Sequence, residues 1–250
     1  MKEPLISVIT SVLNCREYII DALTSVKKQV YKNVEHIVID GGSNDGTIDI
    51  VKDFGVDVLI SEKDEGQYFG MNKGIEIAKG DIIGFLNADD FYADDFVLLD
   101  VKNAITNGYD SCYGDLVYVS RDDTSKILRF WKSGEFKDGC FKRGWMPPHP
   151  TFFVKKGLLE KYGFFDTRLK ISADYEIMLR LLERYKISTY YIPRVLVKMR
   201  WGGKSNNLKN IIRKGMEDFI SWKINGISVN PLIILYKPLL KLNQFCKINF

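Results

Sequence analysis

The chain has 250 residues, 46% of them hydrophobic, and a formal net charge of +4. A chain of this length forms one large α/β domain or a domain with an appendage, and its apolar content is ample for a core, which excludes an intrinsically disordered protein. The sequence contains no basic block of the kind that binds nucleic acid, so its charge indicates no nucleic-acid partner.

The first half of the chain alternates apolar, β-branched runs with helical patterns. Strands are predicted at Leu5–Ser11, Val34–Asp40, Val56–Ser61 and Ile82–Leu86. Helices are predicted between them at Glu17–Val30, Thr47 to about Phe54 and Gly66–Lys79. Strands that alternate with helices predict a parallel sheet with right-handed crossovers, helices on both faces and a ligand site at the carboxyl ends of the strands.

The last of these strands ends abruptly in polar residues. Its apolar run stops at Asn87, Ala88, Asp89 and Asp90. Carboxylates at the carboxyl end of a central parallel strand lie where open α/β sheets bind their ligands. Because hard oxygen ligands suit Mg²⁺ or Mn²⁺, this stretch predicts a divalent metal site.

The pattern is looser in the second half of the chain. A helix is predicted at Asp95–Ile105 and a strand at Ser111–Ser120, whereas Asp122–Gly144 is polar and contains several glycines. Residues 145–150 form a rigid loop with a tryptophan and three prolines. The remaining predictions are a strand at Thr151–Val154, a helix at Asp174–Tyr185 with Ser172 as a candidate N-cap, and a strand at Thr189–Met199.

The segment Pro231–Phe250 has leucines and a tyrosine on one side of a helical pattern and lysines on the other, with Pro238 as an expected kink. Its apolar run is too short to span a bilayer, which needs about 20 residues. Two interpretations stay open. The segment is either a helix packed on the core or an amphipathic basic segment that lies in the cytoplasmic face of a membrane.

The cysteines indicate a reducing compartment. Cys15, Cys112, Cys140 and Cys246 show no CxxC pairing, and the chain has two histidines. This pattern argues against a disulfide scaffold and against a structural zinc site. The N-terminus has no long apolar core of the secretory kind, so we expect a cytoplasmic chain.

Four sequence elements occur in an order that resembles one enzyme family. They are the Ile6–Thr10 strand, VIDGGSNDGT (Val38–Thr47), EKDEGQYFGMNKG (Glu62–Gly74) with FLNADD (Phe85–Asp90), and SADYEIMLRL (Ser172–Leu181). Over roughly residues 4–205 the chain resembles the family 2 glycosyltransferases of the GT-A fold, bacterial enzymes that build polysaccharide and lipopolysaccharide chains.

The resemblance implies a fold and a domain organisation. The expected fold is α/β, with a Rossmann-like, mostly parallel sheet, helices on both faces and a C-terminal helical appendage. Residues 1–205 would form the GT-A domain, with a nucleotide-binding half at 1–90 and an acceptor-binding half at 91–205. Residues 206–250 would form a helical segment that associates with the membrane or packs on the domain.

The resemblance also implies which residues bind a nucleotide-sugar donor. The matching positions are Thr10, Asp40, Asp64, Asn72, Lys73 and Asn87. A carboxylate such as Asp40 can accept a hydrogen bond from a base imide or a ribose hydroxyl, and Lys73 can supply charge to phosphate. The alternatives are that Asp40 only shapes the turn before Gly41 and that Lys73 is a solvated helix lysine.

The acidic signature of the family is Asp-x-Asp, and this chain has Asn87 at the first position. The resemblance implies that Asp89 binds Mn²⁺ or Mg²⁺ and that Asp90 assists or orients it. The alternative is that both aspartates end the strand and cap the next helix.

Asp174 is the candidate general base. Inverting transfer needs a carboxylate that removes the proton of the acceptor hydroxyl as its oxygen attacks the anomeric carbon. A position at a helix N-terminus favours the ionised form of Asp174. The same position supplies the alternative, a carboxylate that only complements the helix dipole, which fits Glu176 better.

A loop near the acceptor or the diphosphate completes the predicted site. His149 matches a family position that often carries histidine or glutamine, and Trp145 would stack on a sugar ring or simply close its loop. Lys204 belongs to a basic, glycine-containing stretch at 200–205 that would close over the diphosphate. The multiple membrane-spanning helices expected of processive synthases are missing here, which favours transfer of a single sugar.

The function that follows is an inverting glycosyltransferase. We expect it to move one sugar from a donor, UDP-linked in our interpretation, to a lipid-linked glycan on undecaprenyl diphosphate. The product would serve O-antigen, capsule or exopolysaccharide synthesis, and the enzyme would lie peripherally on the cytoplasmic face of the inner membrane.

Two other functions remain open. A sugar nucleotidyltransferase would usually carry a glycine-rich basic loop after the first strand, where this chain has Ser11–Cys15. A non-catalytic nucleotide-sugar-binding assembly protein would explain the uncharged Asn87.

Overall fold

A computed structural model describes residues 3–202 and 208–230. The strands are β1 (Ile6–Val12), β2 (Val34–Asp40), β3 (Val58–Ser61), β4 (Ile82–Phe85), β5 (Phe91–Tyr92), β6 (Ser111–Val119), β7 (Ile127–Trp131), β8 (Phe153–Lys155) and β9 (Thr189–Arg200). The helices are α1 (Ile19–Lys27), α2 (Thr47–Phe54), α3 (Gln67–Ile77), α4 (Val97–Thr106), α5 (Lys156–Tyr162), α6 (Ala173–Leu179) and α7 (Leu208–Ile224).

These strands form one sheet in the order β3-β2-β1-β4-β8-β6-β9-β5, with β7 paired to β6. The first four run parallel to one another, and β8 then inserts antiparallel between β4 and β6. Since β6 and β9 are again parallel, most of the described strands point the same way. This arrangement confirms the predicted α/β class with a mostly parallel sheet.

Helices cover both faces of the sheet, as predicted. On one face, side chains of α1 and α4 pack on Ile6, Val8 and Ile82 in an apolar cluster. On the other face, side chains of α3 and α6 pack on Ile9, Ile83 and other strand residues. Because β4 is buried on both faces, its sequence does not alternate between apolar and polar residues. The strand β1 is also buried on both faces, and its polar residues Ser7 and Thr10 have hydrogen-bond partners there.

The second half of the chain contains one strand that the sequence did not predict and one that begins later than predicted. The polar stretch Asp122–Gly144 contains β7, which pairs with β6 and in which Arg129 is buried while its four neighbours are half-buried. The strand predicted at Thr151 begins instead at Phe153, because residues 149–151 form a 3₁₀ turn fixed by prolines. The short elements β5 and α5 carry too few residues for a periodic signal.

The C-terminal part of the described chain packs on α6. Trp222 of α7 is 1% exposed and belongs to the same apolar cluster as α6. Ser172 occupies the N-cap position of α6 as predicted, but its hydroxyl donates to the carbonyl of Lys214. None of the described helices is long and apolar enough to cross a bilayer. The segment Pro231–Phe250 lies outside the described residues, and the division at 205 and 206 stays a prediction.

Helix α3 lies unusually close to β1 because two of its residues lack side chains. A Cβ atom on Gly74 would lie 2.5 Å from Cγ2 of Ile9, and one on Gly70 would lie 2.6 Å from Oγ of Ser11. Both distances are shorter than packed carbon and oxygen atoms tolerate. The close approach brings the loop before α3 against the end of β1.

We therefore expect Gly74→Ala to lower the free energy of unfolding by about 1 kcal/mol or more, because overpacking against Ile9 exceeds the gain in helix propensity. Gly157→Ala in α5 is the matched control, since a Cβ there meets nothing within 4 Å. The control should be neutral or stabilising. Urea unfolding of both variants checks this, and equal stabilisation by both would contradict the packing argument.

Candidate functional site

A cleft of about 1780 Å³ lies at the carboxyl ends of the parallel strands, where the sequence predicts it. The ends of β1 and β4 and the beginnings of α3 and α6 form its walls, and α7 closes one side. Of the predicted site residues, the cleft is lined by Asp64, Asn87, Asp89, His149 and Asp174. The structure thus brings together carboxylates that are far apart in the sequence.

Asp64 lies in the cleft wall just before α3. Its Oδ1 accepts a hydrogen bond from the backbone N–H of Gly66 at 2.9 Å. A Cβ atom on Gly41 would lie 3.0 Å from the Asp64 carboxylate, and one on Gly70 would lie 3.2 Å from it. The two glycines therefore allow the β2 loop and α3 to close around this carboxylate.

Asp40 and Thr10 lie beneath the cleft wall. Asp40 is 1% exposed and accepts hydrogen bonds from the N–H of Gly42, the N–H of Ser43 and the hydroxyl of Ser61. Oγ1 of Thr10 lies 3.0 Å from Nε2 of His36 inside the sheet. These contacts favour the turn-forming alternative for Asp40, which fixes the loop after β2.

Three other predicted residues make structural contacts outside the cleft wall. The amide of Asn72 donates to the carbonyl of Phe165 and accepts from its N–H. Lys73 pairs with Glu62 at the surface. Nε1 of Trp145 donates to the carbonyl of Ser133 at 2.7 Å, and its ring packs on aromatic neighbours. Lys204 lies outside the described residues.

The acidic turn after β4 is a hydrogen-bonded unit. Asp90 is fully buried, and its carboxylate accepts from the Asn87 amide at 2.7 Å and from the N–H of Arg200 at 3.1 Å. Burial, reinforced by the charge of Asp89, raises the pKa of Asp90 to about 8. Asp90 therefore supports the turn from below, while Asn87 and Asp89 face the cleft.

Two arginines surround this turn, namely Arg200, which begins the basic stretch at 200–205, and Arg121, which sequence reasoning did not select. Arg121 donates to Oδ2 of Asp89 at 3.1 Å and to the carbonyl of Trp201 at 2.9 Å. Arg200 donates to the carbonyl of Asp89 at 2.7 Å and pairs with Asp21. Both guanidinium groups lie over the ring of Tyr18. No motif marks Arg121, which only the pairing of β6 with β9 brings to the turn.

The side chains of the turn fit a divalent cation that is bound partly by the protein and partly by a phosphate group. No cluster of three or more His, Cys, Asp or Glu side chains that could hold a metal occurs among residues 3–202 and 208–230. Asp89 presents one carboxylate, 29% exposed, and Asn87 presents an amide. Mg²⁺ is commonly held by one or two carboxylates together with substrate phosphates, so a single carboxylate such as that of Asp89 fits this kind of site.

Asp174 lies on the far side of the cleft, in the first turn of α6. Its Oδ1 accepts from the N–H of Tyr175 at 2.8 Å. The hydroxyl of Tyr68 lies 3.3 Å from the same oxygen and 2.9 Å from the carbonyl oxygen of Ile171, so its one proton is shared between these two acceptors. Burial by itself would lower the pKa of Lys214. The negative charges of Asp174 and the neighbouring Asp218 have the larger combined effect with their surroundings, so the pKa of this ammonium group is raised. Asp174 thus has a hydroxyl donor on one side and a cation of α7 on the other.

His149 is a buried, neutral side chain of the same wall. Its ring stacks on Phe85 with centroids 5.1 Å apart, and its Nε2 has no hydrogen-bond partner among the described residues. Burial lowers the pKa of His149, although the charge of Asp174 opposes this shift. A ring nitrogen without a partner at a cleft wall is suited to a hydrogen bond with a ligand.

The end of the cleft below α7 is apolar and aromatic. It is formed by Leu116, Trp131, Met146, Tyr175, Phe219 and Trp222. Arg129 and Lys214 add positive charge there. This end can accept a larger, partly apolar group beside the carboxylate of Asp174.

Comparison with known proteins identifies relatives over most of the chain. The family model described as "Glycosyl transferase family 2" matches residues 7–163. The "PGL/p-HBAD biosynthesis glycosyltransferase" of Mycobacterium bovis BCG is 27% identical over 216 residues, which cover 83% of this chain and 82% of the relative. An uncharacterized glycosyltransferase of Mycobacterium tuberculosis is 32% identical over 181 residues, covering 71% and 68% of the two chains.

Solved structures show the same fold. Mannosyltransferase PcManGT from Pyrobaculum calidifontis, in complex with GDP-Man and Mn²⁺, has a TM-score of 0.64 at 20% identity and covers 99% of this chain and 71% of its own. S. aureus TarS 1-349 in complex with UDP-GlcNAc has a TM-score of 0.65 at 16% identity, covering 98% and 73%. This chain spans 44% of the longer TarS chain. These structures have the GT-A fold, as predicted for this chain.

The burial of His36 inside the sheet leads to a prediction about stability in acid. Burial lowers the pKa of His36 to about 4, against an unfolded value of about 6.5. The unfolded chain therefore binds a proton that the folded chain excludes, so stability falls as the pH falls from about 6.5 towards 4. The loss attributable to His36 is up to about 1.4 kcal/mol per pH unit.

We expect His36→Gln to make the free energy of unfolding depend less steeply on pH in that window, whatever its effect on absolute stability. The slope should fall by up to about 1.4 kcal/mol per pH unit, which corresponds to the uptake of one proton. Urea unfolding at several pH values between about 6.5 and 5 measures the slope. A slope equal to that of the wild-type protein would show that His36 is not buried as a neutral group.

Proposed function

The chain belongs to glycosyl transferase family 2, and we propose that it transfers one sugar, with inversion, from a nucleoside-diphosphate sugar to a glycan acceptor. The observation that carries the proposal is the position of Asp174 across one cleft from Asp64 and Asp89. Membership of the family also favours a glycosyltransferase over the nucleotidyltransferase considered above.

The donor lies at the end of the cleft formed by β1 and α3. Asp64, between Gly41 and Gly70, accepts hydrogen bonds from the nucleoside, and Asn87 contacts the ribose. The complexes of TarS with UDP-GlcNAc and of PcManGT with GDP-Man support a nucleotide-sugar donor in this fold. Within that class we propose a UDP-sugar.

Positive charge near the acidic turn stabilises the leaving diphosphate. Arg121 forms an ion pair with Asp89. When a donor is bound, the same guanidinium group can also bind the anionic diphosphate. Asp89 would hold Mg²⁺ or Mn²⁺ together with the donor phosphates, and the ion would supply positive charge to the diphosphate. Asp90 and Arg200 keep the turn in place from below.

Asp174 acts as the general base. The N–H of Tyr175 donates to Oδ1, and the Tyr68 hydroxyl also lies beside that oxygen, so we assign Oδ2 to the acceptor proton. As the acceptor oxygen attacks the anomeric carbon, its proton passes to Asp174 and the bond to the nucleoside diphosphate breaks. A single displacement of this kind inverts the anomeric configuration.

The acceptor occupies the aromatic end of the cleft. Sugar rings and apolar groups both pack on aromatic faces such as those of the half-buried Trp131 and Phe219. We propose a lipid-linked oligosaccharide of cell-surface polysaccharide synthesis, such as one on undecaprenyl diphosphate, reached at the cytoplasmic face of a membrane.

A non-catalytic role in binding nucleotide-sugars is the competing proposal. It is favoured by the pairing of Asp89 with Arg121 and by the uncharged Asn87. Turnover separates the two functions, because an assembly protein would bind donor without consuming it.

Replacement of Asp174 by Asn should lower kcat by about 10²–10⁴-fold, because a general base is lost while the size of the side chain is kept. Consumption of donor in the presence of a glycan acceptor measures the effect, and donor affinity should stay close to wild type. Asp53→Asn on α2, an exposed carboxylate outside the cleft, is the matched control. An Asp174→Asn enzyme with half of wild-type turnover would remove Asp174 as the base.

Calorimetry with UDP tests the role of Asp89. We expect Mn²⁺ to tighten UDP binding to the wild-type protein and Asp89→Asn to reduce that increment by about tenfold or more. Arg121→Gln, which removes the competing cation, should enlarge it. The same Mn²⁺ increment in wild type and in Asp89→Asn would show that the ion does not depend on Asp89.

A further inference from the structure

Helix α7 is apolar on two sides. Its inner side carries Trp222, which is buried against α6. Its outer side carries Met216, Ile220 and Ile224, which are 59%, 42% and 41% exposed. Residues four apart lie above one another on a helix, so these three form one continuous stripe. We call this stripe, with its two flanking cations Arg213 and Lys223, the outer face of α7.

The charges of α7 are divided between its two sides. Arg213 and Lys223 are exposed beside the stripe. The carboxylate of Glu217 is buried and accepts from the N–H groups of Ile171 and Ser172, as well as from Arg213. Asp218 is 7% exposed. Within residues 213–224, the outer face therefore combines exposed apolar side chains and cations, while both acids are turned inward.

This combination matches the interface of an anionic lipid bilayer. Interfacial helices place apolar side chains at the acyl boundary and basic side chains at the headgroups, and each basic residue near an anionic leaflet contributes about 1 kcal/mol. A stable protein interface involves about 20–30 residues on each side. Three apolar residues and two cations on one helix form too small a patch for a stable dimer by themselves.

We propose that the outer face of α7 docks on an anionic membrane surface. Met216 belongs to the stripe and also lines the cleft, together with Lys214 and Phe219 of the same helix. Docking through this face places the aromatic end of the cleft next to the bilayer. This placement rests on the proposed function, since it provides a lipid-linked acceptor with a short path to Asp174. The docking itself does not require that the protein be an active enzyme.

Vesicle flotation of the full chain tests the proposal. The vesicles are phosphatidylcholine alone or phosphatidylcholine mixed with phosphatidylglycerol. We expect binding to the mixed vesicles and weaker binding to phosphatidylcholine. The double variant Ile220→Ser, Ile224→Ser should lower the partition coefficient by about tenfold or more, because two half-exposed side chains no longer enter the interface. Lys223→Gln should lower it by about fivefold, and only for the mixed vesicles.

The matched control is Val30→Ser, Phe96→Ser, which removes two side chains that are 47% and 55% exposed away from α7 and the cleft. It should bind like wild type. The proposal is overturned if the α7 double variant floats as well as the control, or if a chain ending at Asn230 loses all binding while the double variant keeps it. It is also overturned if light scattering finds a wild-type dimer that the double variant dissolves, because a second copy would then be the occupant.

Flotation and sugar-transfer assays test the two proposals separately. A chain that binds vesicles through α7 but consumes no donor would overturn the proposed function and leave the docking surface in place. A chain that transfers sugar to a water-soluble acceptor but does not float would do the reverse.

Discussion

The buried carboxylate of Asp90 joins the two halves of the molecule at the cleft. It receives the N–H of Arg200, 110 residues away in sequence, and the side chain of Arg200 returns to the carbonyl of Asp89. The turn after β4 is thereby fixed to the end of β9. Because Asn87 and Asp89 leave this turn towards the cleft, their positions depend on a contact between distant strands. The pKa of this buried carboxyl group is raised to about 8, so its role is to hold the turn in place, not to bind a ligand in the cleft.

The cleft balances its charges before a donor enters. Asp89 is paired with Arg121, Arg200 is paired with Asp21, and Lys214 lies near Asp174. Partly buried charges are costly without a partner, so this pairing permits several ionised groups in one concave site. In the proposed function, the diphosphate of the donor would replace one of these partners. The same logic explains how Asn87 is accommodated, since its amide donates to Asp90 and stabilises the turn without adding a further negative charge.

The sequence allowed the parallel half of the sheet and the position of the cleft to be predicted, because β1, β2 and β4 are buried on both faces and their apolar runs end in polar residues. It also identified Asp64, Asp89, His149 and Asp174, which the fold brings to one cleft. The parts that could not be predicted depend on long-range contacts. Arg121 reaches Asp89 only through the pairing of β6 with β9, and Asn72 is recruited by the backbone of Phe165. Asp40 and Thr10 matched a motif, whereas their actual partners are a turn and His36.

The central claim is that Asp174 activates the acceptor for a single displacement on the face opposite the departing diphosphate. The anomeric configuration of the product tests it most directly. With an α-linked nucleotide-sugar as donor, nuclear magnetic resonance of the purified product should show a β-linkage. A product that retains the α configuration would contradict the account, because a single displacement cannot produce it.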